Sequence, residues 1–168
     1  MNWELLILLI IIIVVCFIFF KRKSNMVYIK SYVDNETYLV RDLPDKAQAA
    51  NILARIRQNI LQLTDDMYNN RKNNPDNRSY IEQLHKRIQG VVIMENDGDY
   101  KYTSYSLNKG EQLVFCLRTR DDKSEQLHDM NLLMYVVLHE MAHIGCPEVG
   151  HGELFKKIFA FFATTAIN

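Results

Sequence analysis

The chain has 168 residues, with twenty Lys plus Arg against twenty Asp plus Glu, and 48% of its residues are hydrophobic. That length suits one small domain rather than two. The balanced charge supplies no global pull toward nucleic acid or anionic surfaces, so no nucleic-acid partner is expected.

The apolar residues are unevenly spread, and residues 5–20, LLILLIIIIVVCFIFF, form an unbroken run. As a helix this run covers about 24 Å at about 1.5 Å per residue, against a hydrocarbon core of roughly 30 Å. Trp3 at one end and Lys21-Arg22-Lys23 at the other extend the reach, by interfacial anchoring and snorkelling. A cleaved leader fits poorly. The start carries Glu4 and no basic residue, and the basic cluster follows where small residues would be needed. A core helix apolar on every face is hard to cover in so small a domain. The expectation is a single-pass membrane anchor over residues 1–23, with membrane contact through residues 5–20. The basic cluster would place the following domain, 24–168, on the cytoplasmic side. Without residues 1–23 the chain keeps seventeen basic against nineteen acidic residues, which is no DNA-binding balance.

The rest reads as α+β. Met26 to Val33 and Thr37 to Val40 are rich in β-branched and aromatic residues, and Asp34-Asn35 supplies turn chemistry, which predicts a hairpin. Asp42 and Pro44 open a helix to about Tyr68, with Ala49, Ile52, Leu53, Ile56, Ile60, Leu63 and Met67 on one apolar face. Residues 69–77 are a polar break, and a second helix follows from Arg78 to about Gln89, with Tyr80 or Ile81, Leu84 and Ile88 inward. Val91 to Met94, Tyr100 to Leu107 and Gln112 to Arg118 read as short strands, separated by turn signals at Asn96 to Asp99 and Asn108 to Gly110. A charged loop, Thr119 to Glu125, leads to a helix from about Gln126 that is apolar on nearly every face and runs into His139. A last helix spans Glu153 to about Ala166, with Phe155, Ile158, Phe159 and Phe162 inward. The predicted sheet is small and mostly antiparallel, with residues 24–90 preceding a core of residues 91–168. Cys16, Cys116 and Cys146 are too scattered to form a disulfide framework.

The chemistry concentrates in HEMAHIGCPEVGHGELF, residues 139–155. His139 and His143 are four apart, so both rings leave one helix face about a turn apart and can share one zinc. Glu140 is displaced around the helix, able to reach a metal-activated water without occupying a ligand position. Gly145 and Pro147 stop the helix and free the chain to return, which makes His151 the expected third ligand. Three protein ligands leave the open position of a catalytic zinc. Glu153 or Glu148 could replace His151, and Cys146 or Glu148 as a fourth ligand would instead close a structural site. His85 and His128 read as exposed residues.

HEMAH followed by GHGELF resembles the WLM and SprT-like, minigluzincin-type zinc metallopeptidases. The stretch from Thr103 to Arg118 ahead of the motif is similar to WLM-like proteins of large DNA viruses. The likeness covers roughly residues 90 to 165. It implies a zincin-like fold, zinc on His139, His143 and His151, Glu140 as general base, and a peptide or protein substrate. A viral origin would leave a host or a virion membrane open. DNA-repair members of this group carry binding tails after the core, whereas here Asn168 follows the last helix directly. A role on DNA–protein crosslinks is therefore not expected. Tyr102 and Tyr105 are candidate oxyanion donors, read first as packing residues. The strand Gln112 to Arg118 is expected to run along the cleft as an edge. The rival function is a non-catalytic membrane-anchored interaction protein with a structural or empty zinc site.

Overall fold

The computed structural model describes residues 3, 7, 10–12, 25–98, 103–119 and 125–167. The N-terminal hairpin pairs β1 (Met26–Lys30) with β2 (Thr37–Arg41) in register Met26↔Arg41 to Lys30↔Thr37. Its turn is closed by Ser31 N–H on Glu36 O at 2.9 Å, with Asn35 at φ 63°, a left-handed conformation Asn tolerates. The hairpin continues past Arg41, where Asp42 N–H meets Asn25 O at 2.6 Å. The chain is therefore still tied to the hairpin, and bends at Asp42 and Leu43, where the sequence suggested a helix start. Helix α1 (Lys46–Asn69) begins four residues later, and Pro44 lies in the preceding turn rather than in the first helical turn.

Helix α1 is the centre of the core. Ala49, Ala50, Leu53, Ala54, Ile56, Ile60 and Met67 are buried, whereas Ile52 and Leu63 are only half-buried. The helix packs against β1, β2, the strand at residues 92–95 and two further helices, and Ala49, Ala50 and Ala54 are fully buried there. Two short 3-10 turns, Arg71–Asn73 and Pro75–Asn77, fill the polar break. Helix α2 (Arg78–Ile88) then buries Ile81, Leu84 and Ile88.

The second sheet has the order β3-β5-β4, from β3 (Val92–Glu95), β4 (Tyr105–Leu107) and β5 (Gln112–Phe115). It is mixed: β3 and β5 are parallel, and β4 and β5 antiparallel. This corrects the mostly antiparallel expectation. The β4–β5 turn folds β5 back between β3 and β4, an order that local alternation of side chains does not encode. It also corrects the edge assignment. β5 is the central strand, its Leu113, Val114 and Phe115 are buried, and β3 and β4 are the two edges.

Helix α3 (Met130–Gly145) starts after Asp129, whose carboxylate accepts from Asn131 and Leu132 N–H at 2.9 and 3.1 Å. This cap sets the start four residues later than Gln126. Helix α4 (Glu153–Ile167) packs on α3 through Phe155, Ile158 and Phe162. Gly145 marks the closest approach: a Cβ there would lie 3.1 Å from the Phe162 ring.

The membrane expectation does not stand. Among the described residues no helix is long and apolar enough to cross a membrane. The structure thus does not support the anchor over 1–23, the membrane contact through 5–20, the single-pass topology or the membrane anchoring of the rival function. Of the expected anchor only residues 3, 7 and 10–12 are described; the rest lies outside the described residues.

A buried ion network ties the hairpin to the sheet. Arg118 Nε donates to Glu95 Oε1 at 2.7 Å and its Nη1 to Asp45 Oδ2 at 2.6 Å, while Arg41 N–H donates to Glu95 Oε2 at 2.8 Å. Arg118 and Glu95 are 3% and 2% exposed. Burial pushes the Glu95 carboxyl up, against the pull of the Arg41 N–H and Arg118. The Arg118 hydrogen bond holds Asp45 below the usual carboxylate range. Removing one partner of such a pair leaves a buried charge behind. Arg118→Met is expected to cost about 3 kcal/mol, the lower end of the roughly 3–5 kcal/mol for breaking a buried pair, because Glu95 keeps the Arg41 N–H and can take up a proton. Urea unfolding of the two proteins measures the difference.

Candidate functional site

The site forms where α3 ends. His139 and His143 leave the same face of α3, and the chain returns after residues 146–150 to bring in His151. The three Nε2 atoms converge, with His139–His143 at 3.2 Å, His143–His151 at 3.1 Å and His139–His151 at 3.0 Å. A tetrahedral zinc with bonds of about 2.0–2.1 Å wants ligand nitrogens roughly 3.3 Å apart, so this donor set fits one ion. Hydrogen bonding alone cannot satisfy it. Each neutral Nε2 either donates or accepts, so among three nitrogens at least one pair must be alike. A cation at the centre relieves that conflict.

Phe155 is the floor of the cluster. Its buried ring lies 4.3 Å from the His143 ring, 5.0 Å from that of His139 and 4.8 Å from that of His151, centroid to centroid. Burial lowers the pKa of His143 to about 4, helped by His139, His151 and Lys109. Burial likewise lowers His139, with His151 adding to it. Both rings are therefore neutral near pH 7, as metal ligands must be.

Glu140 is 5% exposed, and burial pushes its carboxyl up to about 7, with the Ser106 backbone hydrogen bond pulling the other way. It borders a cleft of about 550 Å³ shared with His139, His143, His151 and the β4 residues Tyr105 and Ser106. A second cavity of about 550 Å³, lined by Leu132, Val136 and Cys116 among others, adjoins the first at His139 and Glu140.

Among the described residues the converging group contains these three histidines and no carboxylate or thiol. Cys146 is buried, Glu148 is exposed, and Glu153 is paired with Lys156 at 2.7 Å with its side chain 91% exposed. The cluster is thus open on one side, the arrangement of an HExxH-type metallopeptidase site rather than a four-ligand structural zinc. Tyr105 lines the cleft, and Tyr102 lies outside the described residues. His128 and His85 take no part. His128 borders the second cavity, and His85 stacks on Tyr68 at 3.8 Å; both are half-buried rather than exposed.

Three supporting contacts had no sequence signal. Ser106 N–H meets Glu140, Gln83 Nε2 donates to the carbonyls of Ile144 and Gly145 at 2.9 and 3.0 Å, and Lys109 reaches the loop after α3. Each joins residues far apart in the chain, so only the fold reveals them.

No protein-family model matches the chain. It is 46% identical over 148 residues to uncharacterised protein R325 of Acanthamoeba polyphaga mimivirus, covering 88% of this chain and 74% of that one. Uncharacterised protein 136R of Invertebrate iridescent virus 6 is 25% identical over 135 residues, covering 77% and 72%. Among solved structures, the crystal structure of Wss1 from Saccharomyces cerevisiae superposes with a TM-score of 0.51 over 76% of this chain and 84% of Wss1. At 17% identity, that likeness concerns the fold.

Proposed function

Because the chain belongs to the family of mimivirus protein R325 and has the WLM/SprT-like zincin fold, we propose that it is a zinc-dependent metallopeptidase with Glu140 as general base. The observation that carries this reading is the convergence of three Nε2 atoms beside a buried glutamate at an open cleft.

His139, His143 and His151 would hold the ion. Zinc bound there supplies Lewis-acid polarisation of the scissile carbonyl and lowers the pKa of water to about 7. Glu140 takes a proton from the attacking water and returns it to the leaving amine as the C–N bond breaks. The Ser106 N–H keeps the carboxylate aimed into the cleft. β4 is the edge of its sheet that borders the cleft, so an extended peptide can add alongside it and present its carbonyls to the site. The apolar cavity beside His139 and Glu140 suits an apolar side chain next to the scissile bond.

The test is a zinc determination on the purified full chain, followed by incubation with a random peptide library. One zinc per chain and cleavage that stops on chelation and returns with added zinc are expected. Folded protein without zinc, or cleavage that survives chelation, would overturn the proposal.

A further inference from the structure

His139 and His143 are fixed by the helix that carries them, whereas His151 rests on the Phe155 ring on one side only. It is exposed, and it hangs from residues 146–150, whose Pro147, Glu148 and Val149 are exposed too. Gly150, at φ 91°, adds a joint that other residues rarely adopt. Phe155 supports the ring from below, and the loop itself needs a second hold if three nitrogens are to meet within 3.2 Å.

Lys109 is placed to do so. It lies at the tip of the β4–β5 turn, and its Nζ donates to Pro147 O at 2.8 Å, Cys146 O at 3.1 Å and Glu148 O at 3.5 Å. Three carbonyls of consecutive residues thus surround one ammonium group. The base of this lever is rigid. Asn108 and Lys109 take φ of 48° and 52°, and Asn108 Nδ2 is tied to Glu111 Oε2 at 2.7 Å. Gly110 lies so close to α3 that a Cβ would come within 3.3 Å of Ile144. The turn is therefore seated on the end of the histidine helix while its lysine grips the loop that follows.

We propose that Lys109 is a positioning residue for the third metal ligand: its ammonium group pins the 146–148 loop and so sets His151 against His139 and His143. This rests on the peptidase reading only in requiring that the triad bind metal. Lys109 does this through the loop carbonyls rather than by ligating the ion.

The experiment is a double-mutant cycle on the full chain, with zinc affinity read by competition against a chromophoric chelator. K109M is expected to weaken zinc binding about tenfold, in the range for groups that orient ligands. K109R, which keeps charge and donors, should stay within about threefold. In an H151A background K109M should change affinity no further. Metal-free unfolding of K109M should match wild type. If K109M fails to fold, K109Q, a neutral donor, enters the same cycle with a smaller loss expected. Wild-type affinity in K109M, or an equal loss with and without His151, would overturn the proposal. Wild-type protein that binds no zinc would instead sink the peptidase reading itself.

Discussion

Glu140→Gln is expected to keep zinc and lower kcat by about 10²–10⁴-fold, the usual contribution of a positioned general base. The substitution preserves size and shape, and the three histidines are untouched. The Gln carbonyl oxygen can still accept from Ser106 N–H, so the side chain should keep its place. Folding should not suffer either. Burial already drives the Glu140 carboxyl toward its neutral form, with its pKa up at about 7, and a neutral amide removes that conflict. Stability of the variant should therefore equal or exceed wild type, while turnover collapses. Zinc content, thermal unfolding and peptide cleavage on the same preparations separate these effects. A variant that cleaves as fast as wild type would show that Glu140 is not the base.

How much of this was legible beforehand depended on how local the signal was. The face of α1, the inward residues of α2 and the aromatic stripe of α4 follow from spacing within one element, and the helices form there. Helix starts were less legible. Asp42-Leu43-Pro44 looks like a helix opening, but the hairpin holds Asp42 in register with Asn25, a contact seventeen residues away in sequence. The order β3-β5-β4 is less local still. Gln112 to Phe115 has the composition of an edge or a central strand alike, and its neighbours on both sides decide which. The apolar run at 5–20 suggested a membrane span that no described helix supports. At the site, the His-x-x-x-His spacing announces itself because helix geometry fixes two rings on one face. The third histidine is different: the position of His151 depends on a loop, a lysine from a distant turn and the floor made by Phe155.

That dependence makes His151→Ala the sharpest test of the ligand set. The variant is expected to weaken zinc binding by at least about 100-fold, since even groups that merely orient ligands cost about 10–100-fold when removed. Two imidazoles on α3 remain, and among the described residues no other ligand atom converges with them. Glu153, the sequence rival, points to solvent and pairs with Lys156 at 2.7 Å. For Glu153 to take over, α4 would have to shift, and α4 is locked to α3 by the Phe162 ring against Gly145. Glu153→Ala should accordingly leave zinc affinity and cleavage unchanged. The reverse pattern, with zinc kept in H151A and lost in E153A, would assign a two-histidine, one-carboxylate site. The fold as described argues against that pattern: Phe155 packs its buried ring against His139, His143 and His151 together, so the turn of α4 that carries Glu153 also supports the third imidazole, beside the hold of Lys109 on its loop.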